Sequence, residues 1–196
     1  MIQAFGATAK GLHLENQDAY YLGKHLFAVA DGVTISGGGK AASTAAIGQL
    51  QNHDALPELF RKAQEAVQGG PGATTLTIAH ILPEQLEIGH VGDSAAYLVR
   101  DTAKKLTTDD VEKGTNKLTQ ALGQGPVTPH FAEYPLQPRD VIILATDGVS
   151  KHIFLGELVQ IVRTHELKQI PGELIARATE KRKLYEDDKT VVVIQV

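Results

Sequence analysis

The sequence contains no cysteine. Disulfides, a cysteine nucleophile and a thiolate zinc site are thereby excluded. The composition fits a reducing compartment, and a cytoplasmic setting is expected. There is no basic block. Lys and Arg number 19 against 23 Asp and Glu, a formal net charge of −4, so the footprint of a nucleic-acid binder is missing. No apolar run approaches the roughly 20 residues that cross a bilayer. The opening stretch, MIQAFGATAKGLH, has no hydrophobic signal core, so neither a membrane span nor a secreted form is expected. Low-complexity tracts, internal repeats and a dividing linker are also missing. What is there is an ordinary globular mixture of 196 residues, 42% hydrophobic and 21% charged. That length suits one sizeable core, and one domain over residues 1–196 is expected.

Alternation and β-branched enrichment predict strands near Ile2–Ala7, Ala19–Leu22, Leu26–Ala30, Thr74–Leu82, Gln85–Val91, Ala95–Val99, Val141–Ala145 and Thr190–Val196. Only Pro83 and Glu84 separate two of these, which predicts a hairpin. Several other neighbours are too close for helical crossovers, so the sheets should be mainly antiparallel. Helices are predicted at Lys40–Gln51, Pro57–Gln68, Leu155–His165 and Gly172–Leu184. Pro57 and Pro171 suit first helical turns. The glycine run Ser36-Gly37-Gly38-Gly39 reads as a flexible turn before the helix from Lys40, without P-loop spacing. Strand blocks and helix blocks in this order favour an α+β layered domain over a doubly wound fold.

Aspartates recur at strand boundaries. Asp18 precedes a strand in Asn16-Gln17-Asp18-Ala19. Asp31-Gly32 and Asp147-Gly148 end strands. Asp93 sits in Gly92-Asp93-Ser94 between two strands, and Asp187-Asp188 precedes the last. A strand end fixes a carboxylate, and an adjacent glycine lets backbone or ligand come close. Carboxylates and carbonyls without thiolates suit hard cations such as Mg²⁺ or Mn²⁺. Each Asp-Gly alone is a common turn signal. The argument rests on their co-occurrence in one small chain.

The segments NQDAYYLG (16–23), LFAVADGVTISGGGKAAS (26–43), GATTL (72–76), LEIGHVGDSAAYLVR (86–100), KLTTDD (105–110), LTQALG (118–123), LQPRDVIILATDGVSKHI (136–153) and DDKTVVVIQV (187–196) span essentially the whole chain. In this order they resemble the type 2C metal-dependent protein phosphatases, the PPM family, and a small bacterial-style member of it. The resemblance implies a four-layer α/β/β/α sandwich with two central, mainly antiparallel sheets. It implies hydrolysis of phosphoserine and phosphothreonine esters, in which two ions about 4 Å apart hold a bridging hydroxide for in-line attack. Two or three divalent cations, Mn²⁺ or Mg²⁺, are the implied cofactors. A phosphorylated protein is the implied substrate, with a Ser/Thr kinase as its counterpart. No nucleic-acid or membrane partner is expected, and a monomer is.

Residue by residue, Asp31 matches the family's metal-bridging aspartate, and the Gly32 carbonyl matches a metal ligand. Asp147 and Asp187 match ligands of the second metal. Asp18 matches the catalytic carboxylate that holds water. Asp93 matches a ligand of a third, weaker metal, shared with Asp147. Asp188 falls where the family usually has Asn. His13 stands where the family often has a phosphate-clamping arginine, which makes it the candidate substrate-binding residue, with Lys10 nearby. Its alternative reading is a solvated loop residue. Val33 occupies a place where some members have a general-acid histidine; His25, His90, His130 and His152 are not distinguished by sequence. Only Val111–Lys117 separates KLTTDD from LTQALG, which implies a shortened flap beside an open cleft.

Three other readings are set against this one. A non-catalytic regulatory or phosphate-binding module of the same fold would be marked by loss of metal aspartates. An aspartyl-phosphate phosphotransferase needs a second aspartate that Asp31-Gly32-Val33-Thr34 lacks. A two-metal nuclease needs a basic strip that the chain lacks.

Overall fold

The computed structural model describes residues 1–33, 37–181 and 186–196. Twelve strands and five helices follow one another along the described chain. The strands are β1 (Gln3–Ala9), β2 (Ala19–Leu22), β3 (Leu26–Ala30), β4 (Gly32–Val33), β5 (Ala73–Thr74), β6 (Leu76–Leu82), β7 (Gln85–Val91), β8 (Ala95–Val99), β9 (Ala103–Lys105), β10 (His130–Pro135), β11 (Val141–Ala145) and β12 (Lys189–Gln195). The helices are α1 (Gly39–Ile47), α2 (Leu56–Val67), α3 (Asp147–Ser150), α4 (Leu155–Thr164) and α5 (Ile170–Lys181).

Two five-stranded sheets run β1-β12-β11-β8-β9 and β10-β7-β6-β3-β2, and β4 and β5 form a small ladder beside them. Every pairing among the described residues is antiparallel. The layers follow from the side chains. Phe27, Val29, Ile88 and Ala79 of one sheet pack between the sheets against Leu98, Ile142, Leu144 and Val192 of the other. The opposite faces are also apolar. Leu26, Ala28, Leu76 and Ile78 meet α1 and α2, whereas Val141, Ile143, Val191 and Val193 meet α4 and α5. A sheet buried on both faces has no polar side to alternate with, which is why LFAVA and VIILA are continuous apolar runs. Each buried Val, Leu, Ile or Phe among them contributes roughly 1.5–3 kcal/mol. The four-layer sandwich is therefore as expected.

Seven strands match expectation to within a residue or two at each end; in the hairpin between β6 and β7, Glu84 takes φ 60°. The expected strand Thr74–Leu82 is broken at Thr75, and its first residue, Thr74, pairs in the β4 ladder. β9 and β10 were not expected. Both are sheet edges, and β10 carries His130, Glu133 and partly exposed apolar residues that blur its pattern. Asp147-Gly148 does not simply end a strand: it opens the single turn α3. The glycine turn's Ser36 and residues 182–184 of the predicted final helix lie outside the described residues.

Candidate active site

Asp31 follows β3, and its peptide groups are held on both sides. Its N–H donates to Thr75 Oγ1 at 3.0 Å, while the Thr75 N–H and the Thr74 hydroxyl each donate to its carbonyl at 2.9 Å. The Thr75 and Ser94 hydroxyls are 2.8 Å apart, which carries the clamp to the loop of Asp93. Gly32 pairs with Thr74, and a Cβ there would run into the backbone of Gly39. In the other sheet, β11 and β12 pair Ala145 with Val191. Asp147 and Asp187 thus leave adjacent strands at the same end. Gly148 lies against the Asp188 carbonyl so closely that only glycine fits.

These elements converge on a pocket of about 190 Å³ lined by His13, Asp31, Gly32, Asp93, Asp147 and Asp187. Val33, Thr75, Asn116 and Leu118 complete the wall. Asp18 does not line it. It is buried, and its Oδ2 accepts the Thr146 hydroxyl at 2.9 Å. Burial pushes the Asp18 carboxyl up to about 7, against hydrogen bonds from Thr190 and Thr146, and the charges of Asp188 and Asp147 add to the rise. The Asp31 carboxyl is also held well above the usual carboxylate range. Removal of the carboxylate from water is the main cause, then the charges of Asp18, Asp147 and Asp187.

His13 reaches Asp188. The ring Nδ1 donates to Asp188 Oδ2 at 3.1 Å and stands 3.9 Å from Asp187 Oδ1. Asp188 is buried and also accepts the Gly11 and Gln17 N–H groups at 2.7 and 2.8 Å. Three donors meet one carboxylate. An asparagine there would turn an NH₂ toward donors, so aspartate is the residue that this loop accommodates. His13 is not a solvated loop residue, and of the eight histidines it is the one in the pocket wall. Lys10 is exposed and outside it.

Lys151 has a place that the sequence did not suggest. Its Nζ donates to Asp93 Oδ2 and to Asp147 Oδ2, both at 2.7 Å. Burial would lower its pKa, but Asp147 and Asp93 hold it well above the usual lysine value. Asp93 is itself raised, by burial first and by Asp147 next. The segment Val111–Lys117 makes a turn closed by a bridge between Val111 and Leu118.

Comparison with known proteins matches residues 29–196 to the family model described as Stage II sporulation protein E, SpoIIE. The chain belongs to the SpoIIE/PPM-type family. The serine/threonine protein phosphatase PstP of Mycobacterium tuberculosis H37Rv is 28% identical over 218 residues, covering 92% of this chain. The chain spans 42% of the length of that curated relative. Among solved structures, M. tuberculosis PstP/Ppp superposes with a TM-score of 0.89 at 23% identity, over 100% of this chain and 98% of that one. The PstP catalytic domain in complex with two manganese ions gives 0.84 at 23% identity, over 99% and 97%. The S. agalactiae serine/threonine phosphatase gives 0.83 at 20% identity, over 100% of both chains.

This SpoIIE/PPM-type chain has a donor set that fits divalent cations. Asp18 Oδ1 and Asp147 Oδ1 are buried with no hydrogen-bond partner among the described residues. Orphaned carboxylate oxygens in a cluster of like charges require a cation or water. Among the described residues, no three Asp, Glu or His side chains are close enough to enclose an ion by themselves. That agrees with Mg²⁺-type chemistry, in which one or two carboxylates act with carbonyls and retained waters. Sequence reasoning missed Thr75, Asn116 and Lys151. Thr75 lies in the matched GATTL segment, whose signal is real but does not say which threonine turns inward. Asn116 lies in a turn without periodicity, and Lys151 reads as an ordinary helix-end lysine.

Proposed function

We propose that this SpoIIE/PPM-type chain is a metal-dependent serine/threonine protein phosphatase, built as one domain with a shortened flap. The observation that supports it most is the convergence of Asp31, Asp147 and Asp187, from three separate strand ends, on one pocket with Gly32 and His13. The likeness to PstP along nearly the whole chain agrees with it. In this reading Asp31, the Gly32 carbonyl, Asp147 and Asp187 would hold two divalent ions, Mn²⁺ or Mg²⁺, with Asp31 shared between them. When bound, such ions supply Lewis-acid activation of water and offset phosphate charge.

The chain's own residues do the rest. Asp18, buried behind the pocket lining and held by Thr146, would orient water that the ions retain. His13, fixed by Asp188 through Nδ1, would meet the substrate phosphate with its Nε2–H when the ring is doubly protonated. Asn116 and Leu118 of the short flap form the wall nearest the substrate chain. The substrate is a phosphorylated protein and the functional counterpart a Ser/Thr kinase, with the enzyme a cytoplasmic monomer. Among the described residues no helix is long and apolar enough to cross a membrane.

The test is hydrolysis of a small aryl phosphate and of a phosphothreonine peptide. Turnover should vanish after exhaustive chelation and return with Mn²⁺ or Mg²⁺. Undiminished turnover in chelator overturns the metal mechanism. No turnover under any metal, with phosphate still bound, supports the non-catalytic module instead.

A further inference from the structure

Lys151 follows the single turn α3, four residues after Asp147. Its ammonium lies 2.7 Å from an oxygen of Asp93 and 2.7 Å from an oxygen of Asp147. The two carboxylates come from different places: Asp93 from the loop between β7 and β8, Asp147 from the end of β11. The ammonium joins them across the pocket wall. The Asp93 side chain is 6% exposed and that of Lys151 28% exposed, so the contact is partly shielded from water. The next carboxylate whose charge reaches Asp93 is Asp109, and it is already matched by Lys105 Nζ at 2.6 Å.

A divalent ion held by Asp93 and Asp147 together would need their oxygens at about 2.0–2.2 Å. The ammonium already occupies the space between them, with donors that match both acceptors. An incoming ion would have to expel it and leave a partly buried lysine beside a divalent charge. Because Lys151 is tethered by its own backbone, its local concentration is fixed and does not fall as free metal falls.

We propose that Lys151 is a built-in cation that closes the Asp93–Asp147 pair to a third divalent ion, leaving a centre for two. This rests on the phosphatase reading above for the two ions themselves. It assigns Asp93 to a lysine pair in place of a metal.

The experiment counts bound metal without reading turnover. Chelator-stripped protein is dialysed to equilibrium against micromolar to millimolar Mn²⁺, and the bound metal is measured by elemental analysis. Wild type should level off at two ions per chain. Lys151→Met, which keeps the length without the charge, and Lys151→Ala should each take up one further, weaker ion. Lys151→Arg should stay at two, and Asp93→Asn added to Lys151→Met should abolish the gain. A third ion in wild type overturns the proposal, and so does an unchanged count in folded Lys151→Met and Lys151→Ala. If the uncharged variants do not fold, the wild-type count decides alone: two supports the proposal and three overturns it. A wild-type chain that binds no ion overturns the two-ion reading itself, an outcome distinct from a count of three.

Discussion

His13 Nδ1 stands 3.1 Å from Asp188 Oδ2. These are two of the positions that the family resemblance marks as departures, and they touch. An arginine carries its own charge and two-pronged geometry. A histidine needs a partner to fix its ring and tautomer, and Asp188 is placed to do this.

That contact predicts coupled kinetics. His13→Ala should raise KM for a phosphopeptide by roughly 5- to 10-fold with little change in kcat, as for loss of about 1 kcal/mol of uniform binding. Asp188→Asn should act in the same direction, and the double variant should fall well short of the product of the two. His13→Arg should lower KM. Steady-state kinetics of the four variants check this, and strict multiplicativity would separate the two residues.

Asp31→Asn should separate activity from stability. Losing the ligand assigned to both ions removes several kcal/mol of transition-state stabilisation, about a thousandfold or more in kcat. The metal-free protein should nevertheless melt higher than wild type, because one of four crowded carboxylates is gone. Thermal melts in chelator and turnover with Mn²⁺ give the two readings. A variant that is both active and less stable contradicts them.

The metal-free protein should also lose stability as pH rises. Asp18 is raised from 3.8 to about 7 in the folded state, chiefly by burial. The folded chain then holds a proton that the unfolded chain releases, so this stabilisation is complete below about pH 4 and is lost as pH rises through about 7. Melting temperature in chelator should therefore fall between pH 5.5 and 8 by more in wild type than in Asp18→Asn. Equal slopes would remove Asp18 as the source.

Away from the pocket, Asp140 is buried and accepts Arg100 Nε at 2.6 Å, Arg100 Nη2 at 2.7 Å and the Gln137 N–H at 2.8 Å. It locks the turn before β11. Asp140→Ala leaves those donors unmet and should cost about 3 kcal/mol in urea unfolding. KM should be unchanged in the fraction that remains folded.

The sequence carried the fold where burial is complete. β3, β8 and β11 are read correctly because both faces are apolar and length alone separates strand from helix. It failed at β9 and β10, edge strands whose pairing is set by their neighbours and not by their own composition. The aspartates were legible as strand-end residues. Their convergence was not, since Asp31 and Asp147 belong to different sheets and meet only when the sandwich closes. Lys151 was invisible for the same reason: nothing local distinguishes a lysine at a helix end from one that bridges two distant carboxylates.

Asp31, Asp147 and Asp187 are attached to β3, β11 and β12, and each of these strands has a hydrogen-bonded neighbour on both sides. Fraying begins at β1, β2, β9 and β10, the sheet margins. Backbone amides such as those of Val29, Ala145 and Val192 should exchange with solvent only through near-global opening. The crowded carboxylates therefore cannot spread apart by a local breathing motion. Their repulsion persists for as long as the chain is folded and is relieved by protonation or by cations, so the rigidity of the scaffold itself sustains the demand for metal.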